Sequence, residues 1–338
     1  MIVACVWLAE IGRLAAAHES DLERFEYTEK QMGVPFKLVL YSGRREAANR
    51  AQAAAFGLVK QLNASLSDYD GQSELSRLSR ASPMTRAMAV SDPLWAVLRR
   101  SQDLALETGG AFDVTVGPYV KLWRRARRQK QLPSPERLAA AKDAVGFAHV
   151  QLDPDRHAVR LLKPNMRLDL GGIATGYAVD EMLRVLREHG ISRAMVDASG
   201  DIGAGDPPPG EVGWKIAIAL PSAKAVLNQY VLLSNRAITT SGDAFQFVEI
   251  GGKRYSHIVD PHTGLGLTDH SNVTVLAADC ITADSLATAV SVLGPDEGLR
   301  LIERTPGAAA QIIVGNDAQP RVYHSQRWSR LNVVGRRQ

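Results

Sequence analysis

The sequence contains little cysteine and no long apolar run. Its 338 residues include two cysteines, Cys5 in an apolar N-terminal stretch and Cys280 just before a predicted helix. Two isolated cysteines do not indicate a disulfide framework, so cysteine usage assigns the protein to neither a reducing nor an oxidising compartment. Because no apolar run reaches about 18 residues, the sequence predicts no transmembrane helix.

An excess of one charge sign is also nearly absent, because 40 Lys and Arg residues are offset by 36 Asp and Glu residues. The one basic concentration is the segment from Lys121 to Lys130, KLWRRARRQK, in which Trp123 lies between cations. An aromatic residue among basic residues can stack on a nucleic-acid base. No zinc-finger or RNP-like spacing accompanies this one, so we interpret the segment as a solvated helix end or loop and expect no nucleic-acid partner.

The N-terminal stretch MIVACVWLAE lacks the features of an intact export signal. It has no basic leader, and Glu10 ends the apolar run. Val3, Ala4 and Cys5 would resemble a lipoprotein cleavage site if the natural start lay upstream, and an ordinary helix turn is the alternative. The residues leave both interpretations open.

The composition and the order of patterns predict a globular α+β fold. Hydrophobic residues make up 45% and charged residues 22%, which is typical of soluble domains and excludes the disordered and fibrous classes. Strand and helix patterns mix without the strict alternation of a parallel βαβ protein. Strands are predicted at 36–41, 166–170, 194–197, 214–220, 230–233, 255–259, 273–277 and 311–314, and helices at 46–66, from 91 to the glycines at 109–110, and at 177–189, 282–293 and 295–304.

A glycine turn from Asp169 to Gly176, DLGGIATG, joins a predicted strand to a predicted helix. Its glycines allow a close backbone approach, and the N-terminus of the following helix offers N–H groups and a positive dipole to a phosphate. The turn matches neither the Walker pattern nor GxGxxG. A tight turn without a ligand is therefore the alternative.

Asp284 and Thr288 are four residues apart at the start of a predicted helix, so their side chains share one face. A carboxylate and a hydroxyl are hard oxygen ligands that suit Mg²⁺. The alternative is that Asp284 is an acidic residue favoured by the helix dipole.

The segment from Ser256 to Gly264, SHIVDPHTG, closes a predicted strand with a turn. His257 could act there as a general acid or base near neutral pH, and Asp260 is conformationally restricted by the proline that follows it. The alternative is a surface turn with solvated histidines. Nearby, the residues from Thr239 to Asp243 could add hydroxyl donors or form a capped turn.

Taken together, these motifs resemble the ApbE family of FAD:protein FMN transferases. The resemblance runs from about Met32 to about Ala310 through ordered blocks: MGVPF, LSDYDGQSELSRL, GGAFDVTVGPYVKLW, LDLGGIATGYAVD, TSGDAF, YSHIVDPHTG and ADSLATAVSVLG. It implies an α+β, T-fold-like arrangement of mixed sheets flanked by helices, with FAD in a cleft. We accordingly divide the chain into an N-terminal extension at 1–30, which could be the remnant of an export signal, a flavin transferase domain at 31–325 and a basic tail at 326–338.

The resemblance also implies roles for individual residues. Tyr69 matches a position that stacks on the flavin. His257 is the candidate proton acceptor for the target hydroxyl in the implied reaction, helped by Asp260. The further FAD contacts that it implies are Met32, Ala111, Phe112, Asp113, Asp169, Thr175 and Ile258. The magnesium ligands that it implies are Gly172 through its backbone oxygen, Asp284 and Thr288, with Ala287 nearby.

The implied reaction is the magnesium-dependent transfer of FMN from FAD to a Thr or Ser hydroxyl of a partner protein, with release of AMP. The implied partner carries a Ser/Thr motif and belongs to a membrane redox complex, and the implied location is extracytoplasmic. FAD pyrophosphatase activity and non-catalytic flavin binding are the alternatives, and an aromatic residue at Tyr69 favours transfer over hydrolysis.

Three positions depart from the family pattern. Thr175 stands where many members carry a lysine or another long polar residue, which puts a direct side-chain contact with FAD in doubt. The segment DASGD at 197–201 replaces a glycine-rich stretch in which asparagine is common. Ala287 has no side-chain oxygen, so the predicted metal has fewer protein ligands.

Overall fold

A long antiparallel sheet lies at the centre of the protein. The computed structural model describes residues 21–218, 228–242, 247–269, 271–315, 320–331 and 334–336. Cys5 and the rest of the N-terminal stretch, Leu220 and Asp243 lie outside the described residues. The strands of the large sheet, in spatial order, are β1 (Glu23–Gln31), β2 (Val34–Ser42), β6 (Ala194–Ala198), β7 (Asp201–Ala204), β10 (Arg236–Gly242), β13 (Ser271–Ala277), β14 (Ala309–Val314) and β15 (Arg321–His324).

Three smaller sheets surround it. Their strands are β3 (Met88–Ala89), β5 (Ala158–Leu161) and β4 (Val150–Asp153) in one sheet, β11 (Phe247–Ile250) and β12 (Lys253–Ser256) in the second, and β16 (Val334–Arg336), β9 (Asn228–Leu233) and β8 (Trp214–Ala217) in the third. The helices are α1 (Arg45–Leu66), α2 (Glu74–Arg80), α3 (Asp92–Glu107), α4 (Gly117–Gln129), α5 (Pro135–Lys142), α6 (Ala174–Glu188) and α7 (Cys280–Arg304). This combination of antiparallel sheets and helices confirms the α+β prediction.

The large sheet is buried on both faces, as the alternation along β2 shows. Phe36, Leu38 and Leu40 point into the main core with α1, α6 and α7, whereas Val39 points into a second core. The second core is formed with the β8–β9 sheet and includes Trp328 from the C-terminal region. Burial of both faces explains why Leu38, Val39 and Leu40 are consecutive apolar residues instead of alternating with polar ones.

Most of the predicted helices and strands that have a clear apolar pattern of their own are confirmed. The helix at 46–66 is α1, and the predicted pair 282–293 and 295–304 corresponds to α7, in which Gly294 interrupts the helical backbone with φ 73°. In contrast, the predicted strand 166–170 is wrong, because its one bridge in the described structure joins Arg167 to Val116. The predicted strand 255–259 is also shorter than expected, because β12 ends at Ser256 and Val259 forms an isolated bridge with Gly266.

The ends of the described chain are integrated into the sheets. Residues 23–31, all but the last of which belong to the predicted N-terminal extension, form β1 and pair along their whole length with β2. Residues 334–336, in the predicted tail, pair with β9. Within the described residues, none of the helices combines the length and apolar character needed to cross a bilayer.

Candidate active site

The N-termini of α6 and α7 meet directly. The backbone N–H of Gly176, in the first turn of α6, donates at 3.0 Å to Oδ2 of Asp284, which lies just past the first turn of α7. A Cβ atom at Gly176 would overlap the carbonyl oxygen of Cys280, so only glycine permits this approach. The predicted phosphate turn and the predicted metal helix, which are separated by more than 100 residues, therefore form one site.

Gly172 and Thr288 form the second contact between the same two segments. A Cβ atom at Gly172 would lie 2.8 Å from the Thr288 hydroxyl oxygen and 3.1 Å from its methyl carbon. The backbone of the glycine turn therefore lies against the side chain of Thr288. This contact brings together three of the predicted metal ligands, Gly172, Asp284 and Thr288.

Asp180 fixes the position of α7 from the side of α6. Its two carboxylate oxygens accept the backbone N–H groups of Cys280 and Ile281, each at 2.8 Å. These are first-turn N–H groups of α7 that lack partners within the helix. Asp279 accepts a third first-turn N–H, that of Thr282, at 3.0 Å, so the N-terminus of α7 is capped by two carboxylates.

Several buried carboxylates surround this junction. Burial raises the pKa of Asp284 well above its usual range, and Asp201 raises it further, while the Gly176 N–H lowers it. Burial also raises the pKa of Asp180 and of Asp201 to about 7 each. A cation bound beside Asp284 would favour the ionised form of this carboxyl and so oppose the effect of burial.

The oxygen donors at this junction fit Mg²⁺. In the described parts of the chain, no three His, Cys, Asp or Glu side chains are grouped to hold a metal ion. Mg²⁺ commonly uses one or two carboxylates and completes its shell with water and substrate phosphate. One buried carboxylate, one hydroxyl and a backbone carbonyl match that requirement. Ala287 is buried and offers only its carbonyl oxygen, which already accepts the Ser291 hydroxyl at 2.8 Å.

Helix α4 connects two other parts of the site. Trp123 is buried, and its indole N–H donates to the carbonyl oxygen of Ser256 at 3.1 Å, next to His257. The following residue, Arg124, donates to Asp68 at 2.6 Å and to Asp169 at 3.0 Å. The interpretation of this basic segment as a solvated helix end or loop is therefore wrong for these two residues, and the buried Trp123 cannot stack on a base.

Tyr69 lies at this cluster with its ring largely exposed. The Arg124 guanidinium carbon is 4.0 Å from the ring centroid, yet 79% of Tyr69 remains accessible. One face of the ring is thus supported from within the protein, and the exposed remainder is available to a planar ligand.

Asp169 is committed to the turn that it begins. Its Oδ1 accepts the Gly171 N–H at 2.9 Å, and its Oδ2 accepts Arg124. Burial raises the pKa of Asp169, Asp68 raises it further, and Arg124 opposes both effects. Any contact of Asp169 with FAD must therefore share oxygens that already hold the turn in place.

His257 and Asp260 lie on a hairpin stabilised by backbone hydrogen bonds. Ser256 donates to Leu267 at 2.7 Å, and Asp260 donates to Leu265 at 2.9 Å. Asp260 Oδ1 accepts the N–H of His262 at 2.8 Å. His257 is half-buried and its neighbour Ile258 is buried, so the hairpin holds the histidine at a defined place beside α4.

The predicted FAD segment from Ala111 to Asp113 is buried close to this hairpin. A Cβ atom at Gly110 would lie 3.9 Å from the His262 ring, while Ala111 and Phe112 are themselves buried. Asp113 accepts hydrogen bonds from Thr115 and from the Phe147 backbone, which account for both of its oxygens. Because these side chains are buried or already hydrogen-bonded, FAD could meet this segment chiefly through its backbone.

The two remaining predicted FAD residues are Thr175 and Met32. Thr175 is half-buried in the first turn of α6, next to Gly176. Met32 occupies the turn between β1 and β2 with φ 48° and packs on the main core. Within the described part of the chain, no hydrogen bond or ion pair joins Met32 to the Asp169 or Asp284 groups.

Comparison with known proteins decides the family. The model of the ApbE family matches residues 32–313. The chain belongs to the ApbE family. An FAD:protein FMN transferase of Haemophilus influenzae is 34% identical over 267 residues, covering 77% of each chain, and one of Vibrio cholerae is 31% identical over 318 residues, covering 92% of this chain and 94% of the relative. The solved structure of the flavin transferase ApbE from Vibrio cholerae superposes with a TM-score of 0.83 at 30% identity, covering 92% of this chain and 99% of that one.

Three residues that contact the predicted site segments were not predicted from the sequence: Asp68, Arg124 and Asp180. Arg124 was hidden inside a run of cations that looked like a solvated surface. One available signal was the apolar spacing of Tyr119, Trp123 and Ala126, which predicts one buried face of a helix. Neither Asp68 nor Asp180 had a local signal that could reveal its distant partner.

Proposed function

We propose that this ApbE protein transfers FMN from FAD to a Ser or Thr hydroxyl of a partner protein and releases AMP. Two of the relatives described above are named FAD:protein FMN transferases, which supports the transfer of FMN from FAD to a protein. The observation that carries the proposal is the meeting of the α6 and α7 N-termini through Gly176 and Asp284. It brings an anion-binding helix terminus and hard oxygen donors to the same point, as a pyrophosphate with a magnesium ion requires.

Binding of the donor would use the glycine turn and the Tyr69 ring. The Thr175 N–H and the positive end of the α6 dipole favour the FAD pyrophosphate, whereas the N–H groups of Ala174 and Gly176 already donate to Leu170 and Asp284. Tyr69 presents an exposed aromatic surface on which an isoalloxazine ring can stack. The two contacts would fix the phosphate and flavin parts of FAD separately.

Magnesium would be held by Asp284, Thr288 and the carbonyl oxygen of Gly172, with Ala287 close by. When bound, it would neutralise negative charge on the pyrophosphate. The protein's own part is to hold these oxygens in place, which the Gly176 and Asp180 hydrogen bonds to α7 accomplish.

His257 would accept the proton of the acceptor hydroxyl. The hydroxyl oxygen forms a bond to the FMN-side phosphorus, the bond from that phosphorus to the bridging oxygen breaks, and AMP leaves with the bridging oxygen. An imidazole is suited to take the released proton near neutral pH. We propose that Asp260, three residues away on the same hairpin, assists by shaping the turn around His257.

The test combines a covalent and a soluble product. The protein is incubated with FAD, Mg²⁺ and a peptide carrying a Thr-Gly-Ala-Thr-like acceptor, and compared with a peptide in which valine replaces the acceptor threonine. Transfer predicts equal amounts of AMP and of fluorescent peptide, and neither product with EDTA. Free FMN in place of labelled peptide would instead identify an FAD pyrophosphatase, and FAD binding without AMP would identify a flavin-binding protein.

We further propose that the partner is an extracytoplasmic subunit of a membrane redox complex. This rests on the family resemblance. Co-expression with a candidate subunit, followed by cell fractionation and in-gel flavin fluorescence, tests it. Labelled protein confined to the cytoplasmic fraction would contradict it.

A further inference from the structure

Arg124 occupies the centre of a cluster that no predicted role explains. Its guanidinium contacts three side chains at once: Asp68, Asp169 and the ring of Tyr69. Tyr69 and Asp169 are both predicted FAD contacts from distant parts of the sequence. We propose that Arg124 is a positioning residue of the flavin site, which holds the Tyr69 ring so that Arg124, Tyr69 and the flavin form one stack. The inference rests on the proposed function, because it assumes that Tyr69 meets the flavin.

The guanidinium is fixed before any ligand arrives. Asp68 and Asp169 are only 9% and 10% exposed, and they lie 2.6 and 3.0 Å from different nitrogens of Arg124. Arg167 adds to the cluster by donating to the Asp68 backbone oxygen at 2.7 Å. Charged hydrogen bonds at such low exposure are stronger than those on an open surface. The plane of the Arg124 group is therefore defined by two anchors.

This fixed plane supports an otherwise exposed aromatic ring. Tyr69 lies in the loop between α1 and α2, and its backbone N–H donates to the Ser67 hydroxyl at 3.2 Å. An exposed tyrosine would lose side-chain freedom on binding a ligand, which lowers affinity. The contact with Arg124 at 4.0 Å restricts the ring beforehand. The flavin then meets a ring that is already positioned.

Lysine cannot replace arginine in this arrangement. An ammonium group keeps the positive charge against the two carboxylates, but it lacks the planar fork that bonds two carboxylates and lies against a ring. Arg124→Lys therefore separates the positioning effect from the loss of charge. Arg125→Lys is the matched control, since Arg125 is exposed on the same helix and donates only to Gln129 among the described contacts.

The decisive experiment is a double-mutant cycle for FAD binding. FAD is titrated into the wild type, Arg124→Lys, Tyr69→Ala and the double variant, with the affinity and the quenching of flavin fluorescence both recorded. We expect Arg124→Lys to weaken FAD binding by about 3- to 10-fold and to reduce the quenching by Tyr69. In the Tyr69→Ala background the same change should have almost no effect on affinity, and Arg125→Lys should match the wild type.

Three outcomes would overturn the inference. Unchanged affinity and quenching in Arg124→Lys would show that the arginine does not position the ring. Equal losses with and without Tyr69 would show that Arg124 acts elsewhere, for example on the turn at Asp169. A wild type that does not bind FAD would overturn the proposed function itself. Thermal melting checks that each variant is folded. If Arg124→Lys is not folded, Asp68→Asn replaces it, because this change weakens one of the two carboxylate contacts that hold the Arg124 guanidinium. Asp68→Asn must then show the same dependence on Tyr69.

Discussion

Replacing Asp284 by asparagine should separate the stability of the protein from its activity. In the metal-free protein, burial and the neighbouring Asp201 both raise the pKa of the Asp284 carboxyl. Asparagine has nearly the same shape, retains an oxygen for the Gly176 N–H and carries no charge. We therefore expect Asp284→Asn to be as stable as the wild type or more stable at neutral pH, while it loses the metal-dependent reaction.

Alanine provides the contrast. Asp284→Ala leaves the Gly176 N–H without its acceptor inside the junction of α6 and α7, and a buried unsatisfied donor costs about 1 to 3 kcal/mol. The alanine variant should thus be less stable than the asparagine variant by about that amount, in addition to losing activity. Urea unfolding in EDTA measures the difference in the free energy of unfolding between the two variants.

The metal response completes the test. Mg²⁺ added with FAD should raise the melting temperature of the wild type by mass action and should add nothing to FAD alone in Asp284→Asn. Because Mg²⁺ and a proton compete for the same carboxylate, the wild-type response should weaken as the pH is lowered. A retained magnesium response or retained transfer in Asp284→Asn would refute the metal assignment. Equal destabilisation by asparagine and alanine would refute the electrostatic argument.

Three further predictions test other parts of the site. His257→Asn should slow transfer by about 10²- to 10⁴-fold with FAD affinity nearly constant, and a parallel loss of affinity would assign the histidine to binding instead. Burial raises the pKa of Asp180 to about 7, so the folded state holds this proton more tightly than the unfolded chain does. The stabilisation that comes from the bound proton is therefore lost as the pH rises towards and through 7. Asp180→Asn should flatten the profile of melting temperature against pH, and a profile identical to that of the wild type would contradict this. Gly176→Ala should lower the free energy of unfolding by about 1 to 3 kcal/mol or more, because the added Cβ clashes with Cys280. Gly57→Ala, in a helix with open space around it, should raise the free energy of unfolding by up to about 1 kcal/mol. Equal unfolding free energies for the two variants would contradict the packing argument.

The sequence predicted those parts of the fold whose signals are local. Helix α1 has a continuous apolar stripe, and Gly294 followed by Pro295 marks the interruption in α7. The segment 166–170 was misjudged because a strand exists only if a neighbour pairs with it, and its one bridge in the described structure is at Arg167. Apolar composition alone does not reveal whether such a partner is present.

The site was predictable as a set of motifs and not as a set of contacts. The sequence indicated that Asp169 begins a glycine turn and that Asp284 lies near a helix start, but the partners of these residues are remote. Arg124 bonds to residues 56 and 45 positions away, and Trp123 bonds to one 133 positions away. A run of basic residues has the same sequence whether one of them forms buried ion pairs or all of them are solvated. The contacts of α4 could therefore be identified only from the three-dimensional structure.

The buried carboxylates show why the site and the fold depend on each other. Asp180 stabilises the start of α7 by accepting two backbone N–H groups, yet its own burial disfavours its charge. Asp284 likewise accepts the backbone N–H of Gly176, and burial likewise disfavours its ionised form. A cation beside Asp284 would relieve the repulsion among these groups without breaking either set of hydrogen bonds. Binding of the metal should therefore tighten the α6–α7 junction, and hydrogen exchange at Gly176 and Cys280 should slow when Mg²⁺ and FAD are added together.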